Sequence, residues 1–294
     1  MSDVLALARP AGIPSVFRDY LQLSKSRIVM MVLITTAAGY FFAAPRVDWA
    51  LLVNTLVGTA LVAAGTNALN QYVERDYDAK MRRTRLRPLP DGRITPRAAL
   101  WFSIAIAVIG TAYLGLAVNW LTAALGAFTL LSYIFVYTPL KRVSTICTLI
   151  GAIPGAIPPL MGWTAATGSL GVGGWIVFAI LFFWQLPHFM AISWMYRDDY
   201  ARGGFAMLAV RDKDGRTTAR HAVFYSFALL TVSVLPPLFG LATFVYLVGA
   251  VAAGAALTIA SFAFLADRTP HSARRLFMSS NIYLIVAMLL LVLA

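Results

Sequence analysis

The sequence predicts an all-α integral membrane protein of about nine transmembrane helices, and three observations carry that expectation. The 294-residue chain is 60% hydrophobic and only 12% charged, where soluble domains hold about 25% charged residues. Apolar segments long enough to cross roughly 30 Å of hydrocarbon recur along its whole length. Finally, 23 of its 24 lysines and arginines fall in alternate gaps between those segments, with Arg46 alone outside. That asymmetry is the excess of cations expected on cytoplasmic loops.

In order, the segments run over 24–43, 50–71, 98–117, 119–138, 145–163, 173–196, 219–239, 241–265 and 276–294. The pair 98–138 divides mainly at Val118-Asn119, and the pair 219–265 at Phe239-Gly240. A wrong number of spans would scramble the charge alternation. It therefore implies a multi-pass chain with the N-terminus cytoplasmic and the C-terminus outside; the location expected for it is the cytoplasmic (inner) membrane of a bacterium. No stretch reads as a linker, so 1–294 is expected to be a single polytopic domain, with 1–20 an N-terminal cytoplasmic segment. That segment has no apolar run before Ile28 and carries Asp3 and Asp19, so it is read as neither a signal nor a transit peptide. The net charge of +12 would suit nucleic acid, but the placement of the cations assigns it to topology and anion binding. The single cysteine, Cys147, leaves no intrachain disulfide and no cysteine-based metal site.

The second segment ends in Asn67-Ala-Leu-Asn70-Gln-Tyr-Val-Glu74-Arg-Asp76-Tyr-Asp78. At roughly 100° per residue, Asn70, Glu74 and Asp78 drift only about 80° around a helix, with Asn67 joining the same stripe. Asp76 points away and is expected to be solvated or paired with a cation. Glu74 is the only glutamate in the chain, and ionisable groups at a membrane boundary are usually functional. Hard oxygen donors of this kind hold Mg²⁺ while substrate phosphates complete its octahedron. The run that follows carries Lys80, Arg82, Arg83, Arg85 and Arg87. These cations suit a polyanion, because guanidinium groups form charge-assisted bonds to phosphate oxygens. Its prolines and Gly92 predict a turn-rich segment.

Further on, Tyr137-Thr-Pro-Leu-Lys141-Arg142 is expected to be a short loop, its two cations either orientation anchors or ligand contacts. Segment five holds Gly151-Ala-Ile-Pro-Gly-Ala-Ile-Pro-Pro159, where small residues allow close backbone approach or room for a bulky ligand. Segment six runs through Trp184-Gln-Leu-Pro-His188 to Met195 and Asp198-Asp199-Tyr200. Helical spacing would put His188 and Asp199 on one stripe, roughly 16 Å apart along the axis. A packed histidine and a ligand are both open readings for His188, with Gln185 and Trp184 beside it resembling pocket lining. His221 and His271 lie near segment ends and are expected to face solvent or headgroups.

With both acidic stretches in view, the chain resembles the UbiA superfamily of intramembrane prenyltransferases over roughly residues 20–290. The superfamily pattern N-x-x-x-D/E-x-x-x-D falls on Asn70, Glu74 and Asp78. Similarity to the haem-modifying branch rests on Arg82 to Leu89, Tyr137 to Arg142, Gly151 to Trp163, Trp184 to His188, and Asp199-Tyr200 with Gly203 to Leu208. The resemblance implies helices ringed around a central lipid-accessible cavity. It implies farnesyl diphosphate as donor, haem b as acceptor, and Mg²⁺ held by Asn70, Glu74 and Asp78, with a second ion at Asp199 and Asp198. On this reading Asn70, Glu74, Asp78 and Asp199 are the catalytic set. Lys80, Arg82, Arg85, Arg87, Lys141 and Arg142 would neutralise the diphosphate, and His188, Gln185 and Trp184 would meet haem. One departure is that the first Asp of the second D-x-x-x-D pattern falls at Met195.

Two other classes remain: an aromatic or quinone-precursor prenyltransferase on the same scaffold, and a transporter. A transporter would place its charges near the bilayer midplane, whereas here nearly every carboxylate sits at the cytoplasmic boundary. The partners implied are membrane lipid and the two substrates, without nucleic acid. A haem-modifying partner enzyme or a homo-oligomer stays open.

Overall fold

A computed structural model gives the fold over residues 15–293. Arg9 and the rest of the N-terminal segment before Ser15, with Ala294, lie outside the described residues. Nine helices among the described residues are long and apolar enough to cross a membrane. They are α1 (Ser26–Ala43), α2 (Trp49–Asp78), α3 (Pro96–Ala117), α4 (Trp120–Val143), α5 (Cys147–Thr167), α6 (Val172–Met195), α7 (Arg216–Leu238), α8 (Phe244–Asp267) and α9 (Pro270–Val292). A short helix, Ser15–Leu23, precedes them, and no strand occurs among the described residues.

The starts are set by local chemistry. Asp48, Thr95, Asn119, Thr243 and Thr269 each cap a helix by accepting from the amide three residues on, and Pro96 and Pro270 occupy first-turn positions that need no amide. The expected breaks are real: Asn119 caps α4, and Gly240 turns the chain between α7 and α8 at φ +68°. α2 continues past the apolar run that ends at 71 as one 30-residue helix to Asp78, as the shared face of Asn70, Glu74 and Asp78 requires. Two boundaries differ from expectation. α4 runs on through Pro139 to Val143, so Tyr137 to Arg142 is helix end rather than loop. A widened π-type turn at Ser132–Tyr137 accommodates the proline, which has no amide to give. α9 begins six residues early, at Pro270.

α5 and α6 are the innermost helices, and the others present more of their surface to lipid. α5 packs on α1, α4 and α6; α6 also meets α7 and α9; α9 returns to α1, and α2 lies against α3. The glycines and prolines of α5 allow this centre. A Cβ on Gly162 would sit 1.9 Å from the Thr36 carbonyl oxygen, and one on Gly39 2.0 Å from that of Pro159. The α1 and α5 backbones therefore touch directly, the close approach that small residues provide inside a membrane.

Candidate active site

The helices enclose a polar pocket of about 240 Å³, walled by α1, α2, α4, α5 and α6 at the end where α2 leaves the membrane. The unbroken α2 helix supplies Asn70, Glu74 and Asp78, all buried and all on its wall. Ile28, half exposed on the outer face of α1, also lines it, so the cavity borders the lipid side. Asn67 is buried nearby but stays off the lining.

Each acidic or amide group on the stripe meets a cation or donor. Lys25 Nζ donates to Asn70 Oδ1 at 2.8 Å, and Asn70 Nδ2 donates to Thr138 Oγ1 at 3.3 Å. Lys141 Nζ lies 2.6 Å from Glu74 Oε1 and 4.6 Å from the centre of the Tyr137 ring. Arg87 Nη1 lies 2.6 Å from Asp78 Oδ2. Lys25, Arg87 and Lys141 therefore face two carboxylates, and Arg83 on the same lining adds a fourth cation. Buried cations beyond the charge of their partners are costly unless an anion joins them. Burial first, and the Arg87 guanidinium second, lower the Lys25 ammonium to about 7, against the opposing pull of Glu74.

The loop between α2 and α3 is folded, not trailing. Arg93 pairs with Asp19 of the N-terminal helix and with Asp91. Gln71 Nε2 donates to the Leu23 carbonyl at 2.6 Å, and Thr84 Oγ1 donates to the Asp78 carbonyl at 2.8 Å. These bonds hold Arg87 at the pocket. Asp199 closes the loop from the other side, accepting from the amides of Arg82 at 3.1 Å and Arg83 at 3.3 Å, and from Arg202. Burial alone would raise its carboxyl, but those donors, Arg202 first, hold it below the usual carboxylate range.

Not every expected residue is gathered here. Asp198 is exposed and leans toward Arg197 at 3.8 Å. Lys80, Arg82 and Arg85 are exposed and off the lining, because the turns after Asp78 aim them outward. Arg142 stacks on Tyr77 and donates to its hydroxyl at 2.8 Å. Asp76 is solvent-exposed beside Arg75, as its helical angle predicts. The shared stripe of His188 and Asp199 does not form, because α6 ends at Met195 and Asp199 belongs to a separate short helix, Arg197–Arg202. His188 faces α9 instead, its Nδ1 2.8 Å from Ser280 Oγ and its ring between Trp184 and Phe277. Trp184 Nε1 donates to the Ser280 carbonyl at 2.6 Å. Gln185 turns to α5, donating to the Ala152 carbonyl at 3.2 Å across the space that Gly155 leaves.

Sequence reasoning missed Lys25 as a pocket group, placed Arg83 in the basic run without assigning it to the diphosphate, and missed the aromatic wall of Tyr133, Tyr137, Tyr200 and Phe205. The Lys25 backbone, at φ +52°, lies in the left-handed region. That conformation turns the chain between the first helix and α1, and no sequence pattern announced it. Among the described residues, no three carboxylate, imidazole or thiol groups converge to enclose a metal unaided. The oxygen donors of Asn70, Glu74 and Asp78 suit a cation that takes the rest of its shell from phosphate and water.

A protein named protoheme IX farnesyltransferase in Solibacter usitatus (strain Ellin6076) is 47% identical over 277 residues, covering 91% of this chain and 95% of its own. The human protein named protoheme IX farnesyltransferase, mitochondrial, is 42% identical over 270 residues, covering 92% of this chain and 60% of its own. Among solved structures, one of digeranylgeranylglyceryl phosphate synthase superposes with a TM-score of 0.78 at 17% identity, over 94% of this chain and 97% of that one. A UbiA homolog from Archaeoglobus fulgidus bound to GPP and Mg²⁺ gives 0.66 at 14% identity, over 93% and 99%. The profile of the UbiA prenyltransferase family matches residues 32–285, and with relatives above 40% identity along most of its length, the chain belongs to that family.

Proposed function

We propose that this protein transfers the farnesyl group of farnesyl diphosphate to a vinyl group of protohaem IX, with addition of water, giving haem O and diphosphate. The observation that carries the reading is the pocket's composition: four cations against two carboxylates, beside aromatic rings and a lipid-facing side chain. The relatives named for that activity supply the acceptor.

The residues divide the work. Lys25, Arg83, Arg87 and Lys141 would hold the diphosphate and balance the charge that develops as the allylic C–O bond breaks. Mg²⁺, held by Asn70, Glu74 and Asp78 with phosphate oxygens, would add charge to the leaving group, and Asp199 is the candidate for a second ion. Tyr133, Tyr137 and Phe205 wall the pocket. They would keep bulk water from the farnesyl cation and stabilise it through their ring faces. The vinyl carbon then supplies the electron pair for the new C–C bond, and a water that loses a proton completes the hydroxyl. His188 is proposed to contact haem. Its Nδ1 is engaged by Ser280, which leaves Nε2 as the nitrogen for iron. The excess of cations at the pocket end supports a cytoplasmic face for the site.

Incubation of the purified protein with haem b, farnesyl diphosphate and Mg²⁺, with products separated by mass, tests the reading. Haem O as product supports it. Prenylation of a phenolic acceptor with no saturable haem binding would transfer the site to the quinone-precursor class.

A further inference from the structure

Between α8 and α9 a groove of about 500 Å³ lies on the outer surface of the bundle, sharing no residue with the polar pocket. Its floor is made of small and apolar side chains, Ala256, Ala260 and Ala263 of α8 and Met278 and Ile282 of α9. His271, Arg274 and Arg275 of α9 line it as well. All three lie within the first six residues of that helix. The turn beside them is level with the pocket end of the bundle, because Trp194 Nε1 at the foot of α6 donates to the Arg268 carbonyl at 2.8 Å. An apolar groove in the membrane thus ends at Arg274 and Arg275, at headgroup depth.

Arg274 and Arg275 stand in the second turn of α9, and the first turn carries no acidic residue to meet them. Among the described residues, neither Arg274 nor Arg275 makes a side-chain hydrogen bond or ion pair. The carboxylate of the turn, Asp267, is taken up by the Thr269 amide at 3.1 Å and the Ser272 hydroxyl. A phosphate at this point would be held by both guanidinium groups.

We propose that the groove is a binding site for one anionic phospholipid, its phosphate on Arg274 and Arg275 and an acyl chain along the alanine floor. A second copy of the chain is the competing occupant, since small residues also mark helix interfaces. A two-fold contact between copies would, however, bring this cluster against its own image. An anionic headgroup neutralises the same cations.

Native mass spectrometry of the detergent-purified full chain, delipidated and then titrated with phosphatidylglycerol or phosphatidylcholine of matched chains, decides it. At about 1 kcal/mol per cation, wild type should prefer phosphatidylglycerol by about tenfold or more. The double variant R274Q/R275Q should lose the preference while keeping phosphatidylcholine binding. Ala260→Leu, which fills the floor, should weaken both lipids. Prenyl transfer in detergent should be unchanged in either variant, which separates this proposal from the assignment of the pocket. Equal occupancy by the two lipids, a preference that survives R274Q/R275Q, or a dimer that Ala260→Leu dissolves would overturn it.

Discussion

Lys141 on α4 and Glu74 on α2 meet across the pocket at 2.6 Å, both side chains nearly buried, at 11% and 6% exposure. The chain's only glutamate is thus matched to a cation that also stacks on Tyr137. Removing one partner of such a pair strands the other, at a cost of about 3–5 kcal/mol. Lys141→Met should lower the melting temperature in detergent, and Lys141→Met with Glu74→Gln should recover most of it. Turnover should stay lost in both. Full activity in the double variant would mean the pair only packs the helices.

Arg87 and Arg85 differ by two residues but separate in space, one bonded to Asp78 inside the pocket and the other exposed. Arg87→Gln should raise KM for the prenyl donor by about tenfold or more, as loss of a charge-assisted bond implies, with KM for haem little changed. Arg85→Gln should leave both near wild type. The reverse ranking would move the diphosphate site out toward the loop.

Asp199 is fastened to two amides of the loop that carries Arg87. Asp199→Ala should abolish turnover and speed hydrogen exchange at the Arg82 and Arg83 amides. Asp199→Asn should keep one of those two amides slow, since each is accepted by a different carboxylate oxygen and the amide side chain retains one, yet raise the Mg²⁺ concentration needed for half-maximal rate. An unchanged Mg²⁺ requirement in Asp199→Asn would confine Asp199 to holding the loop.

For His188, the ring is fixed between Trp184 and Phe277 by Ser280. His188→Ala should weaken haem binding and shift the haem absorption spectrum while diphosphate binding is kept. An intact spectrum would leave His188 as a packing group of the α6–α9 seam.

The α1–α5 contact gives a test free of chemistry. Any side chain at Gly162 would press on the Thr36 carbonyl, and overpacking of this kind costs about 1–3 kcal/mol. Gly162→Ala should lower the melting temperature, whereas Gly168→Ala, at an open turn with φ +69°, should show backbone strain alone.

The sequence made the helices and the acidic stripe legible for one reason: both follow from spacing along a single helix. Asn70, Glu74 and Asp78 share a face because α2 does not break. Spacing failed where the chain turns. The interruption at Tyr196, with φ −113°, cut Asp199 from the face of His188. The bends after Asp78 bring Arg87 to the pocket and leave Arg85, two residues away, exposed and off it. Lys25 reaches the pocket only because Gln71 fastens the end of the first helix to α2, a contact 48 residues away along the chain.

The ion pairs of the pocket also constrain how its ligands arrive. Arg87 and Lys141 hold the oxygen atoms that a divalent ion would need, and Asp78 and Glu74 hold the cations that a diphosphate would need. Neither of these proposed ligands would engage fully unless the other took the partner it displaces. Their two affinities would then be thermodynamically linked, each raising the other by the same factor. On the proposed function, the metal–diphosphate complex, rather than either component, would be the species that the pocket selects.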